Sequence, residues 1–540
     1  MTTPSTGEAL IHLLRAYGVD TVFGMPGVHT LDFYRALPEA GIRHIGVRHE
    51  QGAGFMADGY ARISGRPGVC LLISGPGITN AATPIGQAFS DSQPMLVLSS
   101  VASLADLGMG RGRLHEIPDQ RAVTAPITHF SELATTPAQA TELVHRAFAH
   151  FASHRPRPCH ISVPLDVLPQ PFEGTIEAAR LPGLPAPDSD ALDAAASLAS
   201  SCGPAVIITG GGSVDAADEV RALAERLGAA VLPTIAGKGV VPADHPLSLE
   251  MTADQPGTQS FLCEAGLVIA VGTEFAEPDF WIPEPLPVTG KLIRIDIDAG
   301  TLVRDWRADV AILGDAARSL DGILRRLEGR NTGPGYGGDA LDAAREAGRA
   351  DFGSLERLHE PVIRAIRNAL PPDGYCFTDM TQIAYSGYAL FPANRPRQWF
   401  FPAGYGTLGF ALPAAIGAAF AAPERSGAVL IGDGGLQFTV AELATAVEHE
   451  LPLAIVLWDN HSLKQIARFM REQQIEEIGV HPRNPDFAML AQAYGMAFSE
   501  PSGLEELSEC MRQAWKTKGP TLVRIDEFAD WVQEAARESR

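Results

Sequence analysis

The sequence predicts three open α/β units, each built on a parallel sheet, within one chain of 540 residues. Three observations carry this reading. The length exceeds what a single hydrophobic core fills, and three domains is the natural division. Short apolar strand patterns alternate with helical patterns across Gly/Pro turns, as βαβ units do. Two stretches rich in Pro or Gly, at 169–187 and 329–338, break the alternation into blocks. The blocks are expected at 1–170, 188–328 and 351–540.

In the first block, Ser5-x-x-Glu8 reads as a capping box, with Leu10, Leu13, Leu14 and Tyr17 at helical spacing behind it. A strand over 21–23 runs into the Gly/Pro turn 24–27. A strand over 44–48 precedes a helix over 51–62. A strand over 69–74 meets the turn Gly75-Pro76-Gly77 and a helix over 79–89. Strands over 94–99 and 158–163 complete the block. The second block reads as strand 205–209, glycine turn 210–212 and helix 216–227, then strands at 267–271 and 292–297. The third reads as strand 428–431, helix 438–449 and strands 453–458 and 521–525. Sheets of this kind take ligands at the carboxyl ends of their strands.

Composition excludes several partners. Lys+Arg number 42 and Asp+Glu 64, so the formal charge of −22 argues against a nucleic-acid backbone or an anionic membrane. No apolar run reaches the length of a membrane span. The N-terminal MTTPSTGEAL has no basic or long apolar region, so a secretory signal is not expected. The six cysteines, Cys70, Cys159, Cys202, Cys263, Cys376 and Cys510, form no C-x-x-C. Reduced thiols and a cytoplasmic location are the simplest expectation, with no zinc site and no disulfide framework.

Gly432-Asp433-Gly434-Gly435 follows an apolar strand pattern and opens a helical one. The glycines permit close backbone approach to a phosphate, and a helix N-terminus favours negative charge. Asp433 supplies a hard carboxylate oxygen of the kind Mg²⁺ takes together with phosphate oxygens. After Gly434, 24 residues pass before Asp459-Asn460 at the end of the next strand pattern. Neighbouring strand ends lie side by side in a parallel sheet, so Asn460 can add an amide oxygen to the same ion. Asp459 is the alternative ligand. A plain Gly-Asp-Gly turn competes for the triplet alone, and the strand–turn–helix–strand context argues against it.

Glu50 stands at a strand–helix junction, in His49-Glu50-Gln51-Gly52-Ala53. The small residues after it are expected to leave room for a flat ring. A carboxylic group against a pyrimidine nitrogen promotes the imino tautomer, whose exocyclic nitrogen takes the proton from thiazolium C2. Any helix can carry an acid at its start, and Glu50 alone decides nothing. Paired with the Asp433 motif it points to thiamine diphosphate with Mg²⁺, and so to an enzyme that makes or breaks carbon–carbon bonds beside a carbonyl.

These residues resemble the thiamine-diphosphate enzymes of the acetolactate synthase, benzaldehyde lyase and 2-oxo acid decarboxylase family over nearly the whole chain. RHEQGAGFMADGYAR is similar to that family's glutamate segment, and SGPGITNAATPI to its pyrimidine-side loop, with Pro76 and Asn80 near the cofactor. GYGTLGFALPAAIGAA is similar to the segment that bends the cofactor. The resemblance makes Leu408 the wedge between the rings and gives the Gly406 carbonyl to the 4′-amino group. It gives the Ser462 carbonyl to the metal. It implies pyrimidine-binding, middle Rossmann-like and diphosphate-binding domains. Glu50 of one chain would face Asp433 of its partner, so a homodimer is the minimum and a homotetramer is expected.

Departures bear on the substrate. Acetolactate synthases read P-G-G-A at Pro26-Gly27-Val28-His29 and F-Q-E at Leu114-His115-Glu116. Val28, His29 and His115 fall at substrate-facing positions, and an imidazole there suggests proton transfer. Gln465 and Phe469 share a helix face with Ile466 and match substrate contacts. Synthases carry Trp at Phe469. GVHT at 27–30, GRLHE at 112–116 and TDMTQ at 378–382, whose Gln382 would face the cofactor, look most like 5-guanidino-2-oxopentanoate decarboxylases. A guanidinium tail wants a carboxylate, for which Glu116 and Asp119 are candidates. Lys464, Arg111 or Arg113 would instead favour an anionic tail. In the middle block, Gly210-x-Gly212-x-x-Asp215 lacks the last glycine of a dinucleotide fingerprint, and 246–258 departs from the synthase pattern. FAD is therefore not expected. The resulting expectation is decarboxylation of a 2-oxo acid through an enamine. A carboligase of acetolactate-synthase type and a flavoenzyme resembling pyruvate oxidase are the alternatives.

Overall fold

The structure, a computed structural model, describes residues 3–250, 253–282 and 284–538. Met251 and Thr252, inside the 246–258 segment read against FAD, lie outside the described residues. The first sheet contains β1 (Thr21–Gly24), β2 (Arg43–Gly46), β3 (Gly68–Leu72), β4 (Met95–Val101), β5 (Phe130–Leu133) and β6 (Cys159–Pro164), in the order β2-β1-β3-β4-β6-β5. The second contains β7 (Ala205–Thr209), β8 (Ala230–Pro233), β9 (Leu267–Val271), β10 (Lys291–Asp296) and β11 (Val310–Leu313), in the order β11-β10-β9-β7-β8. The third contains β12 (Tyr375–Thr378), β13 (Trp399–Phe400), β14 (Gly427–Gly432), β15 (Leu453–Asp459), β16 (Ala497–Ser499) and β17 (Thr521–Asp526), in the order β13-β12-β14-β15-β17-β16. Every strand pairing is parallel, which gives the three α/β sheets the sequence predicts.

Strand order reverses between β1 and β3, between β7 and β9, and between β12 and β14. A crevice opens at the carboxyl ends of the strands at each reversal. At β1/β3 it is bordered by residues 24–29 and 73–76, and at β12/β14 by 379–382 and 432–435. At β7/β9 the chain fills the place itself: a Cβ on Gly210 would stand 2.2 Å from the Gly272 carbonyl oxygen. The glycine turn there opens a short 3-10 helix, Gly211–Ala216, and packs against the turn after β9.

The first helix, Thr6–Ala16, starts at Ser5 with the capping box in place. The helix carrying Glu50, Glu50–Ser64, crosses the helix Ala411–Ala421 of the third unit at glycines. A Cβ on Gly59 would meet the Ala414 carbonyl oxygen at 1.9 Å, and one on Gly417 the Met56 oxygen at 1.9 Å. One apolar core runs through this crossing and holds Phe23, Phe55, Phe377 and Phe410 together. Gly59→Ala is therefore expected to push the helices apart and cost about 1–3 kcal/mol. A thermal midpoint equal to that of the parent protein would count against this packing.

Candidate active site

The diphosphate-side cluster is made by strand ends in register. Gly432 of β14 pairs with Trp458 of β15, so Asp433 and Asp459 leave adjacent strands side by side. Asp433 opens the helix Asp433–Thr439 directly, five residues earlier than the apolar pattern suggests. A Cβ on Gly432 would lie 2.6 Å from Thr381 Oγ1, and one on Gly435 2.8 Å from Asp379 Oδ1. The glycines therefore bring the Asp433 turn onto residues 379–382. Gln382 lies there with its Oε1 buried and unpartnered. Gly406, at φ +66°, approaches Met380, and Gly409, at φ +81°, packs on Phe438 and Thr439. Asp379 holds this stretch by accepting from the backbone N–H of Gly409 at 3.1 Å and of Ala411 at 3.1 Å. Burial pushes the Asp379 carboxyl up to about 6. Leu408, between the two glycines, is half-buried.

Asp433 is 2% exposed, and among the described residues no Lys or Arg pairs with it. Its Oδ2 accepts from Asn484 Nδ2 at 2.7 Å, and the same amide nitrogen reaches Asp459 Oδ1 at 3.0 Å. Burial raises the Asp433 carboxyl above the usual carboxylate range, with the nearby Asp459 adding to the rise and Asn484 opposing it. Asp459 differs because Arg524 neutralises it at 2.8 Å. A buried carboxylate without a cation, beside the Asn460 amide, fits a divalent ion. Asn460 Oδ1 accepts from Ser462 N at 3.2 Å, so these two candidate ligands form one turn.

The pyrimidine-side cluster lies at the β1/β3 reversal. Glu50 begins its helix, is 8% exposed, and accepts through Oε2 from Asn80 Nδ2 at 2.9 Å. Pro76 opens the helix Pro76–Ser90 that carries Asn80. His29 Nδ1 lies 2.7 Å from Ser74 Oγ, and its ring meets His115 edge-on with centroids 5.1 Å apart. Burial lowers the His29 pKa, and His115 lowers it further. His115 sits at φ +61° with Nδ1 buried and unpartnered. Val28 beside them is exposed.

Several expectations need correction. The small residues after Glu50 do not leave room for a ring. A Cβ on Gly52 would lie 2.3 Å from Glu442 Oε1, and one on Gly54 2.4 Å from Pro84. The space is occupied by the protein's own side chains. Glu116 is turned into its own loop and accepts from the backbone N–H of Arg111 and Arg113. Asp119 caps the helix Gln120–Thr124. Arg111 and Arg113 share Asp106, and Lys464 pairs with Glu527, so each of these cations has a carboxylate partner in its own chain. Gln465 and Phe469 lie on the helix Lys464–Glu472 after the Asn460 turn, and Phe469 is exposed.

Residues outside any sequence motif tie the clusters down. Glu442, 1% exposed, accepts through one oxygen from Arg48 N and His49 N, each at 3.0 Å, and so holds the residues just before Glu50. Gln87 Oε1 accepts from Thr407 Oγ1 at 2.9 Å, and Asp91 Oδ1 from Gly404 N at 2.7 Å, which tethers the segment carrying Gly406 and Leu408. Gln120 accepts from Gly75 N at 2.9 Å. Among the described residues, no hydrogen bond joins Glu50, His29 or His115 to Asp433, Asn460 or Ser462.

The Gly-Asp-Gly turn on one parallel sheet and the Glu50–Asn80 carboxylate–amide pair on another are two polar clusters at strand ends of separate sheets. Comparison with known proteins gives the family. Residues 4–123 match the N-terminal TPP binding domain of thiamine pyrophosphate enzymes, 192–323 the central domain, and 379–525 the C-terminal TPP binding domain. The chain belongs to this family and is a thiamine-diphosphate-dependent enzyme. It is 50% identical over 528 residues to a probable 2-ketoarginine decarboxylase of Pseudomonas aeruginosa, covering 97% of this chain and 94% of the relative. It is 32% identical over 529 residues to the acetolactate synthase isozyme 1 large subunit of Escherichia coli, covering 96% and 93%. It is also 32% identical over 560 residues to a probable acetolactate synthase large subunit of Methanocaldococcus jannaschii, covering 96% and 91%.

Proposed function

We propose that this protein decarboxylates a 2-oxo acid with a guanidino tail, of the 2-ketoarginine type, using thiamine diphosphate and Mg²⁺. The observation that carries decarboxylation is the His29–His115 pair beside Ser74, a proton source at the mouth of the β1/β3 crevice. An acid at that place finishes the reaction by protonating carbon and releasing an aldehyde. The guanidino tail rests on the relative's name rather than on a free carboxylate, because Glu116 and Asp119 are engaged locally.

Bound at this site, thiamine diphosphate would supply the nucleophilic and electron-accepting chemistry that loss of CO₂ from a 2-oxo acid requires. The chain's residues do the rest. Asp433, Asn460 and the Ser462 carbonyl hold Mg²⁺, and Gly432, Gly434, Gly435 and Gln382 border the diphosphate. Glu50, oriented by Asn80, exchanges a proton with the pyrimidine ring. Gly406 and Leu408 shape the bend, with Pro76 near the ring. Val28, His29, His115, Gln465 and Phe469 face the substrate. The family resemblance supports a homodimer in which the Glu50 cluster of one chain meets the Asp433 cluster of the other, with dimers pairing into a homotetramer. The units are assigned to 1–170, 188–328 and 351–540, and the location to the cytoplasm. Among the described residues, no helix is long and apolar enough to cross a membrane.

The test is a panel of guanidino, acidic, aliphatic and aromatic 2-oxo acids given to the protein with thiamine diphosphate and Mg²⁺. Release of CO₂ with one equivalent of aldehyde, fastest from the guanidino acid, is expected. Acetolactate made from pyruvate would establish the carboligase reading. A flavin absorbance band in the purified protein would establish an oxidase.

A further inference from the structure

The buried polar floor beneath His29 has a role the reaction scheme leaves unused. Ser74, 2% exposed, follows β3, and its hydroxyl is the recorded partner of His29 Nδ1 at 2.7 Å. The backbone around Ser74 is fixed from two sides. Ser74 N donates to Ser100 Oγ at 3.2 Å, and Gly75 N donates to Gln120 Oε1 at 2.9 Å. Gln120, 3% exposed, donates in turn to Ser99 Oγ, the Ser100 carbonyl and Ser162 Oγ. Ser99 Oγ and Ser162 Oγ reach His160, which is fully buried and lowered to about 3 by that burial, so it stays neutral. A satisfied buried network of this kind holds its members in one geometry. The hydroxyl under His29 is therefore presented at a fixed place.

We propose that Ser74 is a positioning residue that keeps a hydrogen bond to His29 Nδ1 in both charge states and leaves Nε2 as the proton donor to the substrate. The inference rests on the reading of His29 as the acid. In the neutral ring the hydroxyl donates to Nδ1, which places the single ring proton on Nε2. When the ring is protonated, the hydroxyl turns and accepts from Nδ1–H. In the transfer step the Nε2–H bond breaks, its electron pair stays on nitrogen, and a C–H bond forms at the carbon that lost CO₂. The ring left behind is at first the other neutral tautomer, with Nδ1–H held by the Ser74 oxygen, and a proton from solvent returns to Nε2 before the next transfer. A hydrogen bond from a cation is about twice as strong as one between neutral groups. Ser74 thus favours the imidazolium against the burial that opposes it. Among the described residues, the titratable group recorded against His29 is His115, from the loop before Gln120, and the nearby Ser74 and Ser100 hydroxyls are neutral.

Ser74→Ala removes one buried oxygen and should fold. The direct readout is the pH dependence of diethyl pyrocarbonate modification of His29 in the full-length protein without cofactor, followed by peptide mass spectrometry. Only the neutral imidazole reacts, so the midpoint reports the His29 pKa. The expected result is a midpoint lower by roughly half a unit to one unit in Ser74→Ala and restoration in Ser74→Thr. In the loaded enzyme, the limb of kcat that falls as pH rises should move to lower pH by the same amount, because the acid loses its proton earlier. An unchanged or raised His29 midpoint in Ser74→Ala would overturn the inference. His29→Asn separates the two readings: full aldehyde release in that variant removes His29 as the acid, whatever the Ser74→Ala midpoint shows.

Discussion

Glu50→Gln is expected to lower turnover by about 100-fold to 10,000-fold, the range general acid–base catalysis contributes, with the fold intact. The carboxylate is nearly buried at the start of its helix, and the contact recorded for it is the 2.9 Å bond from Asn80 Nδ2. Glutamine has the same length and shape. It can turn its amide oxygen toward Asn80 and keep that bond, and the packing of Gly52 on Glu442 does not involve the carboxyl. What the amide cannot do is exchange a proton with a ring nitrogen. The loss should therefore fall on kcat, while calorimetry with Mg²⁺ shows thiamine diphosphate still binding within a few-fold of the parent affinity. Near-normal CO₂ release by the variant would remove Glu50 from the mechanism.

The structure also shows why some of this was readable from sequence and some was not. The strand ends at Gly432 and Asp459 could be read because the evidence is local: an apolar run, then residues whose chemistry suits a strand's carboxyl end. Parallel pairing does the rest by placing Asp433 beside Asp459. Strands with long apolar runs, such as β7 and β9, fall within the expected residues. The missed strands β5, β8, β11, β12, β13 and β16 have at most four residues, too few to show a period. Side-chain partners far apart in the chain were not legible. Glu442 meets Arg48 and His49 across nearly 400 positions, and nothing in either segment names the other. For that reason the glycines after Glu50 looked like space for a ligand when they are space for a carboxylate. Arg111, Arg113 and Lys464 looked like free cations because Asp106 and Glu527 become their partners only in three dimensions.

Asp433→Asn should separate function from stability in opposite directions. The amide keeps the volume of the acid and can still reach Asn484 through its oxygen, so the helix Asp433–Thr439 should form. It carries no charge for Mg²⁺, and a hard cation that keeps few protein ligands depends strongly on each carboxylate. Mg²⁺-dependent uptake of thiamine diphosphate is expected to weaken by on the order of 100-fold or more. The apoprotein should respond the other way. Burial raises the Asp433 carboxyl above its ordinary value of 3.8, so the folded chain binds that proton more tightly than the unfolded chain. Stability then falls as pH rises from about the ordinary value through the raised one, and the full penalty is present at neutral pH. Asparagine carries no such penalty, so the apoprotein's thermal midpoint near pH 7 should rise, and the difference from the parent should shrink in acid. Mg²⁺ and thiamine diphosphate at concentrations that saturate the parent should reverse the order, since the parent gains more from binding than the variant. A variant that binds the cofactor as tightly as the parent would place the metal elsewhere. One that binds weakly without gaining apo stability would leave the metal role standing and show that Asp433 finds another cation in the free chain.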